Sequence, residues 1–546
     1  MPNQNIFRFA ATSLLGAFAF SGFAYATAYA TVYSAVEQGA LGLYDARDFR
    51  LDNGHCTDCK TPKQALWYFQ DDLVATPKAD PAGFDPTLRA QSDVRAWAQQ
   101  HPTDGGYEKP TLLWLGSPHI TSGILSSDGT TLTLPDQQTL AFAVVPKIPA
   151  NLSYYDGSSV RHFAGRTLHM RGTLHDNQFT ARTLWPADYA LDFSSLDLQP
   201  LQNGESLEAL VRKDGEQPAA PLTARLLWQK DENASRDWNG KPVLAVMLNG
   251  AQGDDDEAHG GHFALATGRF GAQGEWNDWL VNNFYNLGSV SEKGIIAAML
   301  PMDAYMADLN SGQSWYRPSY MLVAVLKDPR AAQQVQGALA RVYNHFYRQN
   351  FRYHHAMANC TGISMDTLRS LGWQIPERGP TGALKAMVAL PFMSIKDRSL
   401  ASGEQAFDYL MAEQTNLYPF VGFDAIGRDL LERVSTGGTQ SDGLEHLLAE
   451  DIEALIYVRI PQFPSSRVFG REPVASLDEY MSRVPEDRSQ WKIIPVPPRH
   501  FPDELKDPNA VADAYRPSQI AILAYIGVIG LGLGVASRFA RRRKQT

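Results

Sequence analysis

The sequence predicts a multidomain α+β protein with an N-terminal β-rich barrel or sandwich, a later domain of mixed helices and strands, and flanking hydrophobic membrane segments. Three observations predict it. At 546 residues the chain exceeds what one core organises. Short apolar or alternating runs punctuated by turns fill residues 107–230, whereas longer apolar strands and helical patterns fill residues 242–495. An uncharged stretch lies near each end.

Composition narrows the function classes. Hydrophobic residues are 44% and aromatics 11%, the profile of a folded chain. The formal charge of −10 provides no positive field for releasing phosphate counterions, so no nucleic-acid partner is expected. No cofactor-binding motif is identified and no cofactor is expected.

The first element, residues 1–36, reads as a signal peptide or N-terminal anchor. Arg8 is the only charge in residues 6–36, a length that spans a bilayer. Ala28-Tyr29-Ala30 also matches a small-x-small cleavage site. At the other end, residues 517–537 read as a transmembrane helix built on "IAILAYIGVIGLGLGVA", and Arg538 and Arg541 to Lys544 follow. Positive residues stay on the cytoplasmic side. The expected location is therefore a bacterial inner membrane, with the bulk periplasmic, residues 496–516 a proline-rich tether and residues 538–546 a cytoplasmic tail.

Residues 37–106 form a segment with a Cys-x-x-Cys pair, then linker and surface helix. In "GHCTDCK", Cys56 and Cys59 are most simply a local disulfide in an oxidising compartment. A redox-active dithiol and a zinc site using His55 are the alternatives. Lys60 stands where covalent haem attachment needs a His, which argues against haem.

Within residues 107–230, "RTLHMRGTLHDNQFTARTLW" reads as two strands joined through "HDNQ", similar to the closing hairpin of an OB-like barrel. His162, His169 and His175 fall in this region and read as surface histidines on strands. The next domain begins near Pro242 with "PVLAVMLNG", a buried strand. An acidic loop follows in which Asp254, Asp255, Asp256, Glu257, His259 and His262 crowd together. It lacks the spacing of an EF-hand and reads as a solvated loop, with a divalent cation as the alternative. Ser319 to Asp328 supplies another strand, and Pro329 suits the start of the clearest helix, "RAAQQVQGALARVYNHFY".

The third cysteine, Cys360, sits at a helix start. Asn359 is a favoured N-cap, Ile363, Leu368 and Leu371 form an apolar stripe, and Gly372 is the expected left-handed terminator. A first-turn position offers free N–H groups and the positive end of the dipole to a thiolate. His262 opens a glycine-led strand and is the candidate base, since Cys on a helix start facing His on a strand is the papain-type arrangement.

"GGHFAL" ahead of "YNLG", "VYNHFY…FRYHHAMA" and Asn359-Cys360 resembles the circularly permuted papain-like superfamily, nearest to the Lnb-type N-terminal periplasmic domain. The resemblance covers about residues 242–373 and implies a papain-like domain over residues 242–495. It implies Cys360 as nucleophile and His262 as base. The residue orienting His262 has no clear counterpart; Asn283 and Asn286 are the candidates, with Asn277 and Asp278 behind them. Thiol-dependent hydrolysis or acyl transfer at an amide or ester is the expected chemistry. Envelope peptides, peptidoglycan or lipid acyl groups are the expected substrates. A non-catalytic envelope scaffold and a thiol–disulfide protein using Cys56 and Cys59 are the competing expectations.

Overall fold

Val32–Ser34 (β1) opens the described part of the computed structural model. That part covers residues 32–507 apart from 38, 102–107, 146–159, 215–220, 251–260, 288–295, 309–317, 381, 437–442, 462–481, 483–484 and 491–499. A small hairpin of Ala40–Leu41 (β2) and Tyr44–Asp45 (β3) follows. Phe49–Asn53 (β4), Leu73–Pro77 (β5) and Leu113–Trp114 (β6) then make a three-stranded antiparallel sheet. Helices α1 (Lys63–Tyr68) and α2 (Ala90–Gln100) lie in its connections.

The next five strands close on themselves. They are His119–Leu125 (β7), Thr131–Thr133 (β8), Thr139–Val144 (β9), Thr167–His175 (β10) and Gln178–Pro186 (β11), with the one-turn helix α3 (Val160–Phe163) before β10. Pairing runs β7–β8–β9–β11–β10 and back to β7, parallel between β9 and β11 and antiparallel elsewhere. This is a five-stranded barrel with OB-like connectivity. Alternation explains its inside and outside: Leu140 and Phe142 are buried while Thr139 and Ala141 are exposed. Asp176 and Asn177, at φ 46° and 62°, make the tight turn between β10 and β11, because Asp and Asn tolerate the left-handed region that such hairpins need.

Helix α4 (Leu207–Asp214) leads into the second sheet. Its strands are Thr223–Gln229 (β12), Pro242–Asn249 (β13), His262–Arg269 (β14), Leu280–Asn282 (β15), Met299–Pro301 (β16), Ser319–Leu326 (β17) and Ile452–Ile460 (β18). They order as β12-β18-β17-β13-β14-β15-β16, antiparallel throughout. All eight residues of β13 and all eight of β17 are buried. That is why these strands read as continuous apolar runs: both faces are covered. The helices that follow are α5 (Met302–Asp308), α6 (Arg330–Tyr347), α7 (Cys360–Ser370), α8 (Ala383–Lys396), α9 (Leu400–Met411), α10 (Gln414–Leu417), α11 (Pro419–Thr436) and α12 (Leu444–Asp451). Of these, α5, α6, α7 and α11 pack on the sheet, whereas α8 and α9 pair with each other around Ala386, Leu390 and Phe407.

Several expectations require correction. Among the described residues no helix is long and apolar enough to cross a membrane, so the architecture described is α+β without the flanking membrane segments. Residues 6–31 and 517–546 lie outside the described residues. Residues 32–34, counted within the N-terminal segment, are instead a strand: Val32, Tyr33 and Ser34 pair with Thr121, Ile120 and His119 of β7. β12, grouped with the barrel in sequence, pairs with β18 of the second sheet. In the proline-rich tether, Phe501 packs on Trp67 and Tyr68, and the Leu505 carbonyl accepts from Gln64 Nε2 at 2.9 Å.

Barrel and sheet are joined through a buried ion cluster. Arg171, 1% exposed, sits at a β-bulge in β10. Its Nε donates to both Asp303 oxygens, at 2.9 and 2.8 Å, and its Nη2 pairs with Asp278. The Trp185 and Trp276 rings meet edge to face at 4.7 Å beside it. Gly274 has φ +78°, and a Cβ there would lie 2.1 Å from the Leu191 carbonyl oxygen, so only glycine fits that junction. The segment read as linker and surface helix also docks: Asp93 of α2 binds Arg341 at 2.8 Å and His345 at 3.0 Å, both on α6.

Candidate active site

Local chemistry builds the helix that carries Cys360. Asn359 has extended backbone (φ −88°, ψ −176°), and its Oδ1 accepts from the Gly362 N–H at 2.8 Å. Its Nδ2 donates to the carbonyls of His355 and Leu417, at 2.9 and 2.8 Å, tying the cap to α10. At the other end Gly372 has φ +91°. The Trp373 N–H reaches Leu368 O at 3.1 Å and the Gly372 N–H reaches Arg369 O at 3.0 Å. Together these bonds form a Schellman terminator. Gly422 of α11 lets that helix approach α7 closely, since a Cβ there would lie 2.6 Å from Thr361 Cγ2.

The first turn of α7 meets the first residues of β14. The His262 ring and the Phe263 backbone N–H both face the Cys360 sulfur. Thr361 Oγ1 stands 3.9 Å from the sulfur. His262 Nε2 lies 2.5 Å from Asn283 Oδ1. Asn283 Nδ2 in turn donates to the Ile296 carbonyl at 2.7 Å. With its amide nitrogen so engaged, Asn283 presents oxygen to the ring. His262 therefore carries its proton on Nε2, and Nδ1 is left for the sulfur.

Electrostatics follow from this packing. Burial pushes the Cys360 thiol up, but the charge of His262 and its hydrogen bond outweigh it, with help from the Phe263 N–H, leaving the thiol lowered from 9.0 to about 7. Burial pulls His262 down, yet the facing sulfur charge raises it above its usual 6.5. The pair is a thiolate–imidazolium in the making. The Cys360 N–H, first in the helix, has no intrahelical partner and faces the Tyr353 hydroxyl oxygen.

Aromatic side chains enclose the pair. The Tyr285 and Tyr305 rings lie 6.2 and 6.3 Å from the His262 ring. Tyr305 donates to Asn249 Oδ1 at 2.6 Å, and Asn249 Nδ2 donates to Ser319 Oγ at 3.2 Å. Tyr353 packs on Tyr285 at 5.4 Å, and its hydroxyl faces Cys360. Cys360 is 4% exposed and His262 1%. The tyrosines and the Phe263 N–H were not expected as site groups from sequence, although Tyr285 and Tyr353 stand inside the stretches that carry the papain-like resemblance.

The structure thus brings Cys360, His262 and Asn283 together. It does not bring Asn286 to the ring; that residue is exposed. Asn277 is buried and its backbone carbonyl accepts from the Asp303 N–H at 3.1 Å, while Asp278 pairs with Arg171. The acidic loop, residues 254–259, lies outside the described residues. Cys56 and Cys59 are both unbonded thiols near Asp52. Burial, with the hydrogen bond to Cys59, pushes the Cys56 thiol up to about 12, unlike an activated redox thiol. No family model, curated protein or solved structure matches the chain.

Proposed function

We propose that the protein is a thiol-dependent hydrolase or acyltransferase acting on an amide or ester, with a papain-like relationship of Cys360, His262 and Asn283. One observation carries this reading: the Cys360 sulfur sits at a helix N-terminus against a histidine whose far ring nitrogen is held by Asn283. In the proposed step the Cys360 thiolate attacks a carbonyl carbon. His262 gives its proton to the leaving amine or alcohol. Water, or an acceptor alcohol or amine, then releases the acyl group with His262 as base. Envelope peptides, peptidoglycan peptides and lipid acyl groups in a bacterial periplasm fit the sequence reading.

The test is acylation of the full chain by an activated aryl ester, read as a burst of phenol and as mass added to Cys360. Cys360→Ser should lose both while keeping its fold, because the volume change is small. The near-complete burial of Cys360 and His262 favours one second reading, a non-catalytic envelope scaffold. A wild-type chain that neither bursts nor gains mass would select it.

A further inference from the structure

Strand β4 ends in a turn that gathers metal-type donors away from the Cys360 site. Among the described residues, ligand atoms of Asp52, Cys56 and Cys59 all lie within 4.8 Å of one another. The turn is shaped by its own bonds. The Cys56 N–H reaches Asn53 O at 3.1 Å and the His55 N–H reaches Asn53 Oδ1 at 2.9 Å. The Cys59 N–H donates to Cys56 Sγ at 3.1 Å, which neutralises part of a thiolate charge and orients its remaining lone pairs. Gly54 presses the turn onto α1's exit: a Cβ there would fall 2.0 Å from Gln70 Cα.

The carboxylate is likewise held. Asp52 Oδ2 accepts from Arg50 Nε at 2.9 Å and from Thr76 Oγ1, leaving Oδ1 as the oxygen to bind a cation. Arg50 also reaches Cys56 Sγ at 3.5 Å and both Asp58 oxygens at 2.9 Å. Such outer partners orient ligands and offset their charge. We propose that Asp52, Cys56 and Cys59 form a zinc site, with solvent in the fourth position. Two thiolates and one carboxylate select zinc over magnesium or calcium, which prefer all-oxygen shells. A tetrahedral ion with Zn–S near 2.3 Å draws its sulfurs to roughly 3.7 Å, within the spread of the present donors. Binding replaces the two thiol protons, which leave to solvent. The ion would pin the β4 turn, on a sheet remote in sequence from Cys360.

The test uses the full chain, reduced, freed of metal and titrated with Zn²⁺ and separately with Co²⁺. Expected are one zinc per chain by native mass spectrometry, release of protons on binding, and a thiolate-to-cobalt absorption band. Cys56→Ser and Cys59→Ser should abolish all three signals, and Asp52→Asn should weaken binding by at least the roughly 10–100-fold that loss of an outer-shell partner costs. Cys360→Ser should leave zinc binding intact, which separates this site from the thiol chemistry proposed above. A reduced chain that takes up no zinc beyond the Cys56→Ser level overturns the site. So does a chain purified with a Cys56–Cys59 disulfide that still takes up no zinc after reduction.

Discussion

Asn283 Oδ1 faces His262 Nε2 at 2.5 Å, while Asn283 Nδ2 is held by the Ile296 carbonyl. The amide orients the imidazole, and the imidazole in turn faces the Cys360 sulfur. Orientation of this kind is a positional effect. Replacing Asn283 with Ala should lower the rate of acylation at Cys360 by about 10²-fold, the scale of a small misplacement of a reacting group. Asn286→Ala, at an exposed position three residues on, should leave the rate unchanged. Burst kinetics of the two variants check this, and equal losses would remove Asn283 from its role.

Alkylation of Cys360 should follow its thiolate. The thiol is lowered from 9.0 to about 7, so the reactive form is present above about 7 and is lost as pH falls through that value. The iodoacetamide rate should therefore rise with a midpoint near 7. Removing the ring charge leaves burial, which pushes the thiol up, so His262→Ala should move the midpoint above 9.0. Mass spectrometry of the Cys360 peptide across pH gives both midpoints.

Arg171→Ala should test how the barrel is held to the sheet. It leaves Asp303, fully buried, without its cation. Breaking a buried pair from one side costs about 3–5 kcal/mol. The expected result is a large loss in urea midpoint followed by circular dichroism. Arg171→Met combined with Asp303→Leu should recover much of it, because an apolar pair leaves no buried charge unpaired.

Asn359→Ala should loosen the helix start beneath the sulfur. The cap to Gly362 is worth about 1 kcal/mol, and the Leu417 carbonyl also loses its donor. Stability should fall by about 1–3 kcal/mol once that unsatisfied group is included. Asn359→Asp keeps the accepting oxygen but not the donor, so it should recover only the first part. Denaturant melts of the two variants separate the contributions.

Local chemistry by itself determined a good deal of this protein. Asn359 and Gly372 bound the Cys360 helix because capping involves neighbours a few residues apart. The turn at Asp176 and Asn177 and the apolar strands Pro242–Asn249 and Ser319–Leu326 were legible for the same reason. Cys360 and His262 were legible as chemistry-bearing types at element starts. Tertiary structure alone decided the remainder. It selected Asn283 over Asn286: both follow the strand Leu280–Asn282, but Asn283 is buried against His262 and Asn286 is exposed. It moved Thr223–Gln229 from the barrel to a pairing with Ile452–Ile460, more than two hundred residues along the chain. It buried Arg171 against Asp303, a contact no local pattern announces. It also turned Val32–Ser34, the end of an uncharged run, into a barrel edge strand. An uncharged run records only that a segment avoids water. Whether lipid or another strand receives it depends on which backbone partners the whole fold provides.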